Sequence, residues 1–357
     1  MDFEKIFDFA VANGASDIHI QALLPPMMRI SGRMRSVDSA SLSNEQTIDI
    51  IASMAPKMDK EKLRQAIFEG LDFSHNIEGL GRFRCSAYCH LGNVGIVMRI
   101  IRENMPTFEE LNLPICIKDI ALAQRGLTLV TGTTGSGKST TLAAMIDLIN
   151  NTYAAKIITI EDPVEFIHKR NKSLISQLEV GIDTPSYSQA LRQALRQDPD
   201  VILIGELRDV DSLRIALHAA DTGHQVYSTV HSANSPQTIE RIIAMFPPVE
   251  HKLLLSQLAG SVEAIISQRL LTTYEGKRIP ALEILRGSGV TKKFILEKKL
   301  DELTSYIETG ESGMQTFDQH ILEIYNKKLI SGTEALRWAS NPEALAMAMR
   351  GINKNSK

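Results

Sequence analysis

One octapeptide constrains this chain more than any other feature: Gly132 to Ser139 reads GTTGSGKS. An apolar, β-branched run, LTLVT (127–131), comes directly before it. A stretch with helical spacing, TTLAAMIDLIN (140–150), comes directly after. Strand, glycine-rich loop and helix in that order form a phosphate-binding loop. The glycines let the backbone wind tightly with its N–H groups pointing inward. The helix start adds a positive end. Gly132, Thr133, Thr134, Gly135, Ser136 and Gly137 would form the cradle, with Thr140 just beyond it. Lys138 would reach the β- and γ-phosphates, and the Ser139 hydroxyl would ligate Mg²⁺. A plain surface turn needs neither the lysine nor the serine.

The chain has 357 residues, enough for about two domains. Apolar residues make up 43%, which supports real cores. A net charge of −3 argues against a broad nucleic-acid-binding surface. The three cysteines, Cys85, Cys89 and Cys116, contain no C-x2-C pair. Their spacing speaks against structural zinc, and their odd number against a disulfide framework. Reduced cytosolic thiols are the plain reading. No apolar run approaches the ~20 residues that span a bilayer. The N-terminus, MDFEKIFDFAVANG, reads as an amphipathic helix without the basic start of a signal peptide. A soluble, intracellular chain is expected, one able to sit against a membrane complex.

Residues 1–105 read as a small mixed α/β domain with an antiparallel sheet. Asp17 to Ile20 alternates polar and apolar, and MMRISGRMRSV (27–37) reads as strand, Gly turn, strand. SLSNEQTIDIIASMA opens with capping residues and continues with helical spacing. GRFRCSAYCHLGNVGIVMRII (81–101) alternates again around a turn expected at 92–95. Residues 106–120, with Pro106 and Pro114, read as a linker and a short helix. Residues 121–357 form the phosphate-loop domain. LTLVT, KIITI (156–160), VILIG (201–205) and VYSTV (226–230) have the character of buried parallel strands. From about Ser256 the pattern turns helical to the end, apart from a strand near Ile279–Leu285.

Several side chains fall where chemistry would need them. Glu161 and Asp162 follow KIITI, at the strand end where open α/β sheets bind ligands. A carboxylate there holds Mg²⁺ or orients water; two solvated turn residues are the alternative. Glu206 follows VILIG and matches a Walker B acid that takes or orients the proton of an attacking water. The alternative is a salt bridge to Arg208. His231 lies at the carboxyl end of VYSTV, where it could sense a γ-phosphate, and His224 lies at the other end. Arg82, Arg84, Arg99 and Arg102 sit on the last strands of the first domain, with Arg82 and Arg84 on one face by period two. Such guanidiniums stabilise a transferred phosphoryl group when a neighbouring subunit supplies them. Without further information they read as solvated strand residues.

Together these residues resemble the PilT/PilU branch of the secretion-type hexameric ATPases, the retraction motors of type IV pili. The motifs are ASDIHI (15–20), the phosphate loop with TTLAAMID behind it, and ITIEDPVEF (158–166), which is similar to that family's Asp box. LRQALRQDPDVILIGELRD (191–209) is similar to its Walker B region, and TGHQVYSTVHSANSPQTIERIIAMFP (222–247) to its His box. SGMQTFDQHILEIYNKKLISGTEALRWASNP (312–342) is similar to its C-terminal helical segment. The resemblance implies a PAS-like N-terminal domain, a RecA-like ATPase domain with C-terminal helices, ATP and Mg²⁺, and a ring of six subunits. It implies that Glu206 is the catalytic carboxylate and Glu161 a metal- or water-positioning partner. His224 and His231 become nucleotide-state contacts, and Arg82, Arg84 and Arg99 trans-acting arginines; Arg102 matches less clearly. The implied partners are an inner-membrane platform protein and a second retraction motor, and the implied location is the inner face of the cytoplasmic membrane. Neither the extra N-terminal domain nor the four-cysteine insertion of extension and type II secretion ATPases is seen, which favours retraction. TKKFILEKK (291–299) stands where retraction motors carry a sequence close to AIRNLIREGK, and Thr133 where many relatives have Pro. A transport ATPase of the same superfamily, or an accessory motor subunit, is the alternative.

Overall fold

The computed structural model describes residues 3–30, 32–37, 40–77, 80–101 and 105–351. The chain divides into two compact units: Met1–Asn104 with Pro163–Ile167, and Met105–Asp162 with His168–Lys357. Arg102 lies outside the described residues.

The first unit runs α1 (Phe3–Ala12), β1 (Ala15–Gln21), β2 (Met27–Ile30), β3 (Arg33–Ser36), α2 (Asn44–Met54), α3 (Lys60–Glu69), β4 (Leu71–Ile77), β5 (Gly81–His90) and β6 (Asn93–Ile100). The strands form one antiparallel sheet in the order β3-β2-β1-β6-β5-β4. Period-two alternation gives it a core face and an outer face. Strand β5 buries Phe83, Cys85 and Ala87 and turns Arg84 and Ser86 outward. The buried side packs with Ile6 and Phe7 of α1, Ile48 and Ile51 of α2, and Leu63 and Ile67 of α3. Helix α2 starts as its sequence suggests: Ser43 accepts from the Gln46 N–H, and Gln46 accepts from the Ser43 N–H. The β5–β6 turn is tighter than expected. It uses Leu91 and Gly92, both at positive φ, as a two-residue hairpin does. Gly95 instead lies within β6, where a Cβ would come 2.7 Å from the Tyr88 ring.

The second unit begins with α4 (Cys116–Ala121), β7 (Gly126–Thr131), α5 (Lys138–Thr152), β8 (Lys156–Glu161), β9 (Leu174–Glu179), α6 (Tyr187–Ala194), β10 (Val201–Ile204) and α7 (Val210–Asp221). It continues through β11 (Gln225–Val230), α8 (Ser235–Met245), α9 (His251–Ser261), β12 (Val262–Thr272), β13 (Arg278–Arg286), α10 (Gly289–Glu297), α11 (Leu300–Glu308), α12 (Phe317–Asn326), α13 (Gly332–Trp338) and α14 (Pro342–Met349). The sheet order is β13-β12-β7-β11-β10-β8-β9, parallel except for the β13 edge. Every residue of β7 and β11 is buried, as strands covered on both faces require. Alternate strand residues feed two cores. Leu129, Ile160 and Ile204 meet α6, α7, α8 and α9 on one face, while Val130, Leu203 and Tyr227 meet α4 and α5 on the other.

Two expectations fail here, each for a packing reason. The run after Ser256 is not helical throughout: VEAIISQRLLT forms strand β12, an interior strand paired with β7 and β13. Its Glu, Ala, Gln and Arg are good helix formers, and burial between β7 and β13 overrides that propensity. Residues 106–120 contain the expected short helix, α4, but the segment is packed rather than a bare linker. Phe108, Cys116, Ile117 and Ile120 are buried in the second unit's core, and Ala121 follows them in. The two prolines mark breaks, but Phe108 between them and Cys116, Ile117 and Ile120 after Pro114 decide the packing.

The C-terminal helices are built around Phe317, Ile321, Ile324 and Ile330, packed on Leu271, Ile279 and Ala281 of β12 and β13. His320 is buried among them, and its Nδ1 accepts the Leu282 N–H at 2.9 Å. Burial pushes its pKa down to about 4 from an ordinary 6.5. Charging the buried ring would also break that hydrogen bond, so the unfolded chain takes up the proton first. The resulting stability is complete above about pH 6.5 and is lost as pH falls toward 4, on the order of 3 kcal/mol. Thermal melts should show this fall. In His320→Asn, whose side-chain oxygen can still accept from Leu282 but does not titrate, the fall should be shallower. An equal fall in both proteins would assign it to other groups.

Candidate nucleotide-hydrolysis site

Strand register gathers the site at one sheet edge. Thr131 of β7 pairs with Val230 of β11 and Ser267 of β12, while Ile204 of β10 pairs with Ser228 of β11 and Ile160 of β8. The carboxyl ends therefore lie in line, and the next residues along them are Gly132, Glu161, His231 and Gln268, with Glu206 one residue further past β10. This is the edge at which open α/β sheets bind ligands.

The loop from Gly132 to Gly137 is built as a phosphate cradle. Gly132, Gly135 and Gly137 all have positive φ, at 145°, 78° and 89°. A Cβ on Gly132 would lie 2.5 Å from the Gln268 carbonyl oxygen and from Ser136 Oγ, so close backbone approach requires glycine there. Thr133, Thr134 and Gly135 are exposed, and Ser139 and Thr140 are half-buried in the first turn of α5. That helix has no side-chain cap at its start, which leaves its first N–H groups to the loop cavity. Ser136 Oγ is buried without a hydrogen-bond partner. Lys138 is 8% exposed, and its Nζ donates to the carbonyls of Gly132 (3.1 Å) and Thr133 (3.0 Å). An uncapped helix start, an orphan hydroxyl and a lysine folded over the loop all suit a polyphosphate.

Glu206 is 11% exposed at its side chain, and both readings of it meet in the structure. Oε1 is paired with Arg208 Nε, and Oε2 lies 3.3 Å from His231 Nε2. The backbone around it is fixed by the Leu207 N–H donating to the Thr229 carbonyl at 3.1 Å and Thr229 Oγ1 donating to the Gly205 carbonyl at 2.7 Å. His231 is held below the usual histidine range by burial and by the charges of Lys138, Arg241 and Arg208. That direction favours the neutral ring, which donates to Glu206 through Nε2. That Lys138 acts on the ring puts the phosphate-loop lysine and the Glu206–His231 pair in one electrostatic field. Glu161 is half-buried, and its Oε1 accepts from Thr159 Oγ1 at 2.6 Å and Gln177 Nε2 at 3.4 Å.

His224 does not join this group within the chain. Its carbonyl accepts the Gly126 N–H at the amino end of β7, and its ring Nδ1 lies 2.9 Å from the Ala219 carbonyl and 3.2 Å from Thr222 Oγ1. The six-residue β11 separates it from the phosphate-loop edge by roughly 20 Å.

The first unit carries its arginines on the outer face of its sheet. Register places Arg29, Asp17, Arg99, Arg84 and Ser74 side by side across five strands. Asp17 is almost fully buried and accepts from Arg99 Nε at 2.8 Å and from Ser16 Oγ at 2.8 Å, with Arg29 Nε at 3.8 Å. Burial alone would raise its pKa, but Ser16 and Arg99 outweigh that and leave it below the usual carboxylate range. Arg84 is exposed directly opposite Arg99, and Arg82 is half-buried two residues along on the same face. Like charges directly opposite each other repel, and the Asp17 carboxylate on Arg99 offsets this.

Two residues that matter here have no sequence motif to announce them. Gln268 is 3% exposed; its Nε2 donates to the Ser136 carbonyl and its Oε1 accepts from Thr141 Oγ1, both at 2.8 Å. Glu283 is buried on β13, where its Oε1 accepts from the Ser235 N–H (2.7 Å) and Ser235 Oγ (2.8 Å) at the start of α8. Burial raises its pKa, against the pull of Ser235 and Arg269. Ser267 joins it to Thr131, so this carboxylate ties the helix after His231 to the strand before the phosphate loop. A lone acid inside the apolar run RIPALEILR was the available signal for Glu283.

A family model described as Type II/IV secretion system protein matches residues 2–278. The chain is 42% identical over 344 residues to the protein named Type IV pilus retractation ATPase PilT of Pseudomonas aeruginosa, covering 96% of this chain and 99% of that one. To the Type IV pilus ATPase PilU of the same organism it is 38% identical over 352 residues, covering 98% and 92%. Its fold matches the crystal structure of the pilus retraction motor PilT with bound ADP at a TM-score of 0.89 and 39% identity, covering 96% of this chain and 98% of that one. The chain belongs to the Type II/IV secretion system protein family, in its PilT-type group, and is a nucleotide-binding, ATP-hydrolysing motor enzyme.

Proposed function

We propose that this enzyme pulls type IV pili in, as a ring of six subunits working on an inner-membrane platform protein from the cytoplasmic side. The observation that carries the catalytic part is the meeting of the phosphate loop, Glu206 and His231 at one sheet edge. Lys138 and the loop N–H groups hold the phosphates. Glu206 accepts the proton of the attacking water, and neutral His231 fixes the carboxylate for that task. Ser139 and Glu161 would hold Mg²⁺, which would supply positive charge against the phosphates. Arg84 and Arg99, with Arg82 beside them, reach the γ-phosphate from the first unit of a neighbouring subunit, which makes hydrolysis depend on assembly. The exposure of Arg84 and Arg99 on the outer sheet face supports that role. His224, at the opposite sheet edge, would meet nucleotide only through such a neighbour. Retraction rests on kinship with PilT and PilU over nearly the whole chain. Among the described residues no helix is long and apolar enough to cross a membrane, so the grip on the platform is peripheral. TKKFILEKK, which forms α10 and the lysines after it, replaces the usual retraction signature and points to work alongside a second retraction motor.

A deletion strain tests the proposal. Cells lacking the gene should keep their pili but twitch poorly or retract with reduced force. Bald cells would indicate an extension role, and normal pili with blocked secretion would indicate a transport ATPase.

A further inference from the structure

A phosphate loop binds anions only if its N–H groups point inward, so its carbonyls must be turned away and satisfied elsewhere. In this chain two carbonyls, those of Gly132 and Thr133, accept from Lys138 Nζ. The Ser136 carbonyl has a different partner, Nε2 of Gln268 on the neighbouring strand β12. The amide orientation is not arbitrary. A carbonyl can only accept, so nitrogen must face Ser136, and the amide oxygen then takes the Thr141 hydroxyl in the first turn of α5. One side chain thus spans the loop and the helix it leads into, and it is almost fully buried while doing so. The loop is also shaped around it. A Cβ on Gly137 would lie 2.8 Å from Gln268 Nε2, and one on Gly132 would lie 2.5 Å from the Gln268 carbonyl oxygen.

We infer that Gln268 is a positioning residue for ATP binding: it turns the Ser136 carbonyl out of the cradle and locks the loop to α5, so that the loop keeps its cradle shape before nucleotide arrives. The inference rests on the reading of Gly132–Ser139 as the nucleotide site. Gln268 does not face the reacting atoms, so its loss acts on affinity and leaves the hydrolysis step largely intact.

The test measures ATP affinity, KM and kcat of the full-length chain carrying Gln268→Met, Gln268→Glu, Thr141→Val or Lys138→Ala, each checked by thermal melting. Methionine keeps the volume but has no donor. It should raise KM and the dissociation constant for ATP about ten- to a hundredfold, with kcat at saturation within a few-fold of wild type. Glutamate should be worse than methionine at neutral pH, because a carboxylate beside the Ser136 carbonyl repels both that oxygen and the incoming phosphates. Thr141→Val removes only the anchor on the amide oxygen and should give a smaller rise of the same kind, which decides the matter if the Gln268 variants do not fold. A Gln268→Met enzyme with wild-type affinity, or a Gln268 variant that loses kcat and keeps KM, would overturn the inference. Unchanged affinity in Lys138→Ala would instead overturn the nucleotide-site reading beneath it.

Discussion

Glu206→Gln is expected to keep ATP bound but to slow its turnover by about 10²–10⁴, the usual worth of a positioned base. Glutamine has the same shape, and its side-chain oxygen can still accept from Arg208 Nε, so the pairing that holds the native carboxylate survives in part. What it lacks is the capacity to take a proton from water. The phosphate loop is untouched, so nucleotide affinity should stay within a few-fold of wild type. The same measurement judges the alternative, in which Glu206 merely neutralises Arg208: near-normal kcat would support it. The base would then be Glu161, which ends β8 at the same sheet edge.

The second large effect is expected at the arginines. Arg84→Ala should lower ring ATPase activity by about 10³–10⁵, the range for an arginine supplied across an interface. Arg84 is the cleanest position to test, because its loss leaves the Asp17–Arg99 pair in place. Arg99→Ala would also strip the nearest cation from a buried carboxylate and so mixes catalysis with stability. In a ring each interface joins the loop of one subunit to the arginines of the next. A 1:1 mixture of Arg84→Ala and Lys138→Ala subunits therefore contains about a quarter fully intact interfaces. Activity of the mixture well above either parent is the expected result. Inactive mixtures across a range of ratios, with rings still formed, would count against shared sites.

How much of this was legible beforehand depends on whether a residue's role is local. The phosphate loop is read from eight consecutive residues because its chemistry is made by its own backbone. Glu206 and His231 are legible because an acid or histidine just past an apolar strand must lie at the carboxyl edge once the sheet is parallel. Gln268 is not legible, since its partners lie 132 and 127 residues away and its strand reads as helix in sequence. The error had a definite source: VEAIISQRLLT carries helix formers, and only pairing with β7 and β13 makes it a strand. Residues 106–120 show the same limit, because Pro106 and Pro114 were visible while the burial of Phe108, Ile117 and Ile120 depends on partners elsewhere in the chain. His224 shows the reverse case: the family motif groups it with His231, and the fold sets the two at opposite ends of β11.

We propose that the site holding Lys138, Glu206 and His231 drives retraction. Imaging fluorescently labelled pili on live cells tests it directly, in a deletion strain that produces either the wild-type chain or Glu206→Gln at equal levels. Wild type should restore extension followed by retraction, while Glu206→Gln should leave pili that extend and stay out or withdraw slowly and with little force. Retraction at wild-type speed and frequency with Glu206→Gln would contradict the claim.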